Sequence, residues 1–179
     1  MHALLRVARL IDALTERVGR AARWLILLTV LISAGNALAR YAFNASSNAW
    51  LEIQWYMFAA MFLLAAGYTL KHDRHVRVDI FYGMLSTRGQ VWLDVVGGTL
   101  FLLPAMTLMA WLAWPLFAES WRIGETSTNA GGLIRWPMKL VIPVGYALVS
   151  LQGISEIVKR IGYLRGEYNM DVHYEAPLQ

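Results

Sequence analysis

Four long apolar segments constrain what this chain of 179 residues can fold into. They cover residues 24–43, 50–70, 91–118 and 138–158. A helix needs about 20 mostly apolar residues to cross a hydrocarbon core about 30 Å thick, and each segment is long enough. With 58% hydrophobic and 16% charged residues, the chain has little material for a water-facing surface. The sequence therefore predicts an all-α membrane protein with four transmembrane helices.

The basic residues are distributed unevenly around these segments. Of the 16 Lys and Arg residues, only Arg40, Arg122, Arg135 and Lys139 lie on one side of the predicted spans. Because basic residues near span ends are retained in the cytoplasm, we expect both termini to be cytoplasmic. The net charge of +4 is then explained by topology and by the lipid bilayer, and it predicts no nucleic-acid partner.

Residues 1–23 precede the first span and have the pattern of an amphipathic helix. The apolar side chains recur every three or four residues, while charged side chains occupy the other face. The apolar set is Leu4, Val7, Ile11, Leu14 and Val18. We expect a cytoplasmic arm that lies in the membrane interface or against a partner's spans. The alternative is a helix packed on a loop of this same chain. Residues 159–179 form the predicted cytoplasmic tail.

Two groups of polar or small residues lie within the predicted spans. Thr29, Ser33, Asn36 and Arg40 form one stripe along the first span, and Ser150, Gln152 and Gly153 form a patch in the fourth. Polar and small residues promote contact between helices in lipid, through hydrogen bonds and close packing. Both groups are therefore predicted to contact a partner protein.

A charged pair is predicted at the outer ends of the first two spans. A charge at this depth is costly unless it is compensated, and Arg40 and Glu52 have matching depths. We expect them to pair; the alternative is that each reaches the headgroups separately. Trp50 lies at the same level and is typical of an interfacial aromatic belt. All three residues are candidates for a partner interface.

The sequence shows little catalytic or cofactor chemistry. There is no cysteine, and His2, His72, His75 and His173 all lie outside the predicted spans, which argues against haem ligation in the membrane. One helical turn with His72 and His75 supplies too few ligands for a metal. We therefore predict no catalytic residue, no cofactor and no metal in this chain.

Several short motifs together resemble a known family. They are Arg40-Tyr41-Ala42-Phe43, Ser47-Asn48-Ala49-Trp50-Leu51-Glu52, His75-Val76-Arg77-Val78-Asp79, Gly131-Gly132-Leu133, Trp136-Pro137-Met138-Lys139 and Ile142-Pro143-Val144-Gly145-Tyr146. Their order and spacing resemble the small membrane subunit (DctQ type) of tripartite ATP-independent periplasmic (TRAP) transporters. One departure is that Glu52 is followed by Ile53, where many relatives have a second acid.

This resemblance implies a non-catalytic scaffold subunit of a secondary-active, sodium-coupled importer of organic acids. In such systems a large permease subunit holds the sodium ions and the substrate, and a periplasmic binding protein delivers the substrate. This chain also lacks the mid-membrane carboxylates expected of a self-sufficient transporter. The alternative function is a stand-alone small exporter.

Overall fold

The computed structural model describes residues 1–45, 47–72 and 84–170, and this part of the chain is helical apart from short connections. The helices are α1 (His2–Ala22), α2 (Trp24–Phe43), α3 (Asn48–Lys71), α4 (Thr87–Gly97), α5 (Leu103–Arg122) and α6 (Trp136–Leu164). Four helical segments are long and apolar enough to cross a membrane, which confirms the predicted fold class. The motif at residues 75–79 lies outside the described residues.

The third spanning segment runs from Thr87 to Arg122 and changes its hydrogen-bond pattern near its middle. Between α4 and α5, Gly98–Leu102 form a π-helical turn, in which the Leu103 N–H donates to the Gly98 carbonyl five residues earlier. Pro104 follows and has no N–H to donate, so the regular ladder is interrupted at this point in any case. The middle of this span therefore contains a π-helical turn just before the proline.

Helix α6 packs against α1, α3, α4 and α5 and forms the centre of the bundle. Small residues allow the close approach: a Cβ at Gly145 would lie 2.9 Å from Leu63 Cβ, and a Cβ at Gly153 would lie 2.5 Å from Leu102 Cδ2. In lipid, helices associate mainly through such close packing and through interhelical hydrogen bonds. Glycines at these two positions therefore bring α3 and the third span into contact with α6.

The arm helix α1 packs on the bundle, against α3 and α6. Gly19 faces the ring of Tyr68, where a Cβ would come within 2.4 Å of the tyrosine Cβ. The face turned toward the bundle consists mostly of small residues, and the buried positions are Leu5, Ala8, Thr15, Gly19 and Ala22. The predicted apolar stripe lies beside this face, and Leu4, Val7 and Leu14 are exposed. Whether that stripe enters the membrane interface remains a prediction.

Helix α2 lies at the periphery. It packs mainly against α3 and makes a small contact with α1. None of its 20 residues is buried, although its bounds coincide with the predicted first span. A spanning helix with this much open surface leaves most of its sides to lipid or to another protein.

Candidate functional site

A cluster of polar side chains joins the arm to α6 at the end of the bundle that is predicted to be cytoplasmic. The Asp12 carboxylate accepts hydrogen bonds from Gln152 Nε2 at 2.8 Å and from Ser155 Oγ at 2.6 Å. Lys159 Nζ lies 3.1 Å from Asp12 Oδ2, and the two side chains are only 10% and 18% exposed. The free-energy cost of shielding the Asp12 carboxylate from water is offset by the ion pair with Lys159 and by the hydrogen bonds from Gln152 and Ser155. We call Asp12, Gln152, Ser155 and Lys159 the inner cluster.

The inner cluster extends across α6 to the third span. Glu156 accepts from Lys159 at 2.6 Å and from Arg160 at 2.5 Å. Arg160 Nε also donates to Asp94 Oδ2 at 2.9 Å. Glu156, Lys159 and Arg160 lie on consecutive turns of α6, so one helix face presents alternating charges to both neighbours. These ion pairs connect α1, α4 and α6 at the predicted cytoplasmic boundary.

The patch predicted in the fourth span lies inside this chain. Gln152 is completely shielded from solvent, and Ser150 is 6% exposed. Gln152 donates to Asp12 and to Glu156, and Gly153 faces Leu102 and Leu103 of the third span. Gln152 and Gly153 therefore contact other helices of the same chain, and Ser150 donates to the Tyr146 carbonyl of its own helix at 2.9 Å. The structure leaves little of their surface for a partner.

The outer ends of the helices contain a second cluster, built around Glu52. Its carboxylate is 4% exposed and accepts from the backbone N–H of Leu133 at 3.0 Å. It also lies 3.5 Å from the Tyr56 hydroxyl in the next turn of α3. The structure therefore brings Glu52 to the loop between α5 and α6 and not to Arg40. Among the described residues Arg40 has no ion-pair partner, and its side chain is exposed.

The outer loop, residues 123–135, is folded on itself. An isolated antiparallel bridge joins Thr126 to Ile134, and the N–H of Ser127 donates to the Leu133 carbonyl at 2.9 Å. Gly131 has a positive φ of 73°, a conformation that favours glycine. At Gly132 a Cβ would lie 2.4 Å from the Ser127 carbonyl oxygen. The Gly-Gly-Leu motif therefore shapes a turn whose last residue donates to Glu52.

Glu125 connects this loop to the start of α6. It pairs with Lys139 and lies 3.5 Å from Arg135 Nη1. The hydrogen bond from Lys139 is the main reason that the pKa of Glu125 is lowered from its usual value of 4.5. The ionised carboxylate thus supports the docked conformation of the loop.

We expect the outer loop to loosen in acid. Because the folded-state pKa of Glu125 is lowered, its contribution is present above the unfolded value of 4.5 and is lost as the pH falls through the lower folded value. Limited proteolysis of the loop between neutral pH and acid measures this loosening. In Glu125→Gln the loop should already be looser at neutral pH and should lose most of its acid dependence; an unchanged acid response would contradict the assignment.

The polar stripe of α2 divides into two halves. Thr29 and Asn36 are half-buried, and the Thr29 hydroxyl donates to the Leu25 carbonyl of its own helix at 2.7 Å. Ser33 and Arg40 are exposed. The stripe is therefore not directed wholly toward α3, and part of it remains open.

A groove runs along the same side of the molecule between α2 and Trp50. Its volume is about 380 Å³, and it is lined by Leu28, Leu31, Ile32, Gly35, Asn36, Ala39 and Trp50. A Cβ at Gly35 would meet no atom within 4 Å. This groove, which we call the α2 groove, is an open apolar surface with small residues at its centre, the kind that lets another membrane helix approach closely.

Two features of the site were missed at the sequence level. Asp12 was assigned only to the charged face of the arm, yet it makes the contacts that connect the arm to α6. Gly35 was not singled out, although it opens the α2 groove. Ala8 and Thr15 lie one turn before and after Asp12, and such small residues, which allow close helix approach in lipid, are the sequence signal for a contact on that face.

These observations define a multi-span helical membrane protein whose peripheral helix α2 has no buried residue. The chain matches the family model described as "Tripartite ATP-independent periplasmic transporters, DctQ component" over residues 29–162, well over half of its length. It therefore belongs to the DctQ component family, as its motifs indicated. No curated protein matches it. The family is one of transporter components, in which this component works with a large permease and a binding protein.

Proposed function

We propose that this chain is the non-catalytic scaffold subunit of a sodium-coupled importer of organic acids, holding the large permease through the α2 face. The open surface of α2 carries the proposal. It is a spanning helix without a buried residue, it exposes Ser33 and Arg40, and it borders the α2 groove. Polar groups on a lipid-facing helix are costly, so a protein partner is the favourable occupant.

The distribution of charge supports a scaffold over a transport pathway. Each described carboxylate of the spanning helices lies within about two turns of a helix end. These carboxylates are Glu52, Asp94, Glu119 and Glu156. Glu52, Asp94 and Glu156 already have partners within the chain. Sodium ions and an organic acid would need uncommitted ligands near mid-membrane, and these are expected in the large subunit.

The proposed orientation places both termini in the cytoplasm of a bacterial inner membrane. It rests on the asymmetry of Lys and Arg around the spans. The chain has no cysteine of its own, so single cysteines can be introduced at Thr128 and Arg88. An impermeant thiol reagent applied to intact cells should label the first and not the second.

The scaffold proposal is tested with Gly35→Leu in the complex with the large permease. Leucine fills the α2 groove but is compatible with lipid, so insertion should persist while co-purification of the permease and sodium-driven uptake fall together. Ala34→Leu is the matched control, because Ala34 is the adjacent small residue, is exposed and does not line the groove. Proteoliposomes that contain this chain alone should show no transport.

The outcomes separate the function from the position of the interface. Transport by the chain alone would contradict the scaffold role and favour the stand-alone exporter. Normal co-purification of Gly35→Leu, with no transport by the chain alone, would place the interface on another face of the protein.

A further inference from the structure

The arm helix α1 has three distinct sides. One side packs on the bundle through its buried positions. A second side exposes large apolar residues, and a third carries arginines that are exposed to solvent. The exposed apolar residues are Leu4, Val7, Leu10 and Leu14, and the exposed arginines are Arg6, Arg9, Arg17 and Arg20. A helix that presents leucines beside arginines has the surface chemistry of a membrane boundary.

A cavity of about 300 Å³ lies at the N-terminal end of α1, where the arm meets the segment after α6. Its lining residues are His2, Leu5, Arg6, Arg9, Glu167 and Tyr168. The described residues that line the cavity thus supply two guanidinium groups and a histidine but a single carboxylate. Among the described residues, neither Arg6 nor Arg9 has an ion-pair partner, so the cavity carries an excess of positive charge that an anion would neutralise.

The position of the cavity along α6 indicates its depth. Leu5, which lines it, lies against Gly162, where a Cβ would be 3.4 Å from Leu5 Cδ2. Gly162 is four residues beyond the end of the span predicted at residue 158, and α6 ends at Leu164. The cavity therefore lies at the level where phospholipid headgroups meet water.

We propose that this cavity binds the headgroup phosphate of an anionic phospholipid, whose acyl chains lie along the exposed leucines of α1. Guanidinium groups bind phosphate oxygens through paired, charge-assisted hydrogen bonds. The apolar side of α1 distinguishes a lipid from a soluble anion, since Leu10, one turn after Arg6, is 71% exposed and offers a surface for hydrocarbon. The site does not depend on the large permease or on the transported substrate.

The test measures lipid binding to the purified full chain in nanodiscs. Discs of phosphatidylcholine alone are compared with discs that also contain phosphatidylglycerol, and retained lipid is counted by native mass spectrometry. The variant Arg6→Gln with Arg9→Gln removes the two cavity charges. The matched control, Arg17→Gln with Arg20→Gln, removes two charges from the same helix away from the cavity.

We expect the cavity variant to bind phosphatidylglycerol about tenfold more weakly or worse, because it loses both guanidinium groups that would hydrogen-bond the phosphate. The control should lose much less. If both variants lost phosphatidylglycerol binding equally, the binding would come from general attraction of anionic lipid by a basic helix, and the proposed site would be refuted. Competition by inorganic phosphate at millimolar concentration would show a free-anion site in place of a lipid site. Unchanged binding in the cavity variant would also refute the proposal.

Discussion

Asp12→Ala is expected to destabilise the protein by about 2–4 kcal/mol and to release the arm from the bundle. The substitution removes one of the two acceptors of Gln152, one of the two acceptors of Ser155 and one of the two carboxylates near Lys159. Lys159 keeps Glu156, at 2.6 Å, so the loss should not reach the full cost of an isolated buried charge. Denaturant unfolding in detergent measures stability, and limited proteolysis of residues 1–23 measures release of the arm.

Two further variants show whether charge or hydrogen bonding holds the arm. Asp12→Asn keeps an acceptor oxygen for Ser155 but loses the ion pair, so its loss should be intermediate. Glu16→Ala removes another arm carboxylate, whose pair with Lys71 is 2.7 Å long but leaves both side chains 22% exposed. Glu16 is held by ion pairs that water partly screens, whereas Asp12 also accepts hydrogen bonds from Gln152 and Ser155, so this control should be milder. If Asp12→Ala were no worse than Glu16→Ala, the inner cluster would not be what holds α1.

Glu52→Ala is expected to detach the outer loop and to raise its rate of proteolysis roughly tenfold, because a shielded N–H then loses its acceptor. The Leu133 N–H donates to Glu52 across 81 positions of sequence, and this bond joins the loop to α3. Cleavage within residues 123–135 should be followed by mass spectrometry. Glu52→Gln keeps an oxygen in the same place and should be milder than the alanine variant.

The control for this prediction is Glu119→Ala at the end of α5. Glu119 makes two hydrogen bonds to Arg122, at 2.9 Å and 2.7 Å, but these side chains are 56% and 72% exposed. Its removal should leave the outer loop as protected as in the parent protein. Equal sensitivity in Glu52→Ala and Glu119→Ala would mean that loss of any nearby carboxylate loosens the loop.

The sequence alone predicted the helical membrane fold and the family. The first span was predicted at 24–43 and is found as Trp24–Phe43, because hydropathy and the flanking Arg23 and Asn44 mark both ends. Helix α6, which is the fourth span, is longer than predicted and extends to Leu164. Its last turns contain Lys159 and Arg160, which no hydropathy pattern assigns to a buried helix; their ion pairs with Asp12, Glu156 and Asp94 make their burial possible.

Only the tertiary structure decided which polar group pairs with which. Hydropathy and spacing indicate the depth of a side chain and the helix face on which it lies. On that basis Glu52 is predicted to pair with Arg40, and Gln152 is predicted to contact a partner protein. The neighbours found are Leu133 for Glu52 and Asp12 for Gln152, the latter 140 positions away. Such pairings depend on how helices pack, and glycines such as Gly145 and Gly153 determine that packing by allowing close approach. The sequence pattern of one helix does not specify which residues of a neighbouring helix it will contact once the two are closely packed.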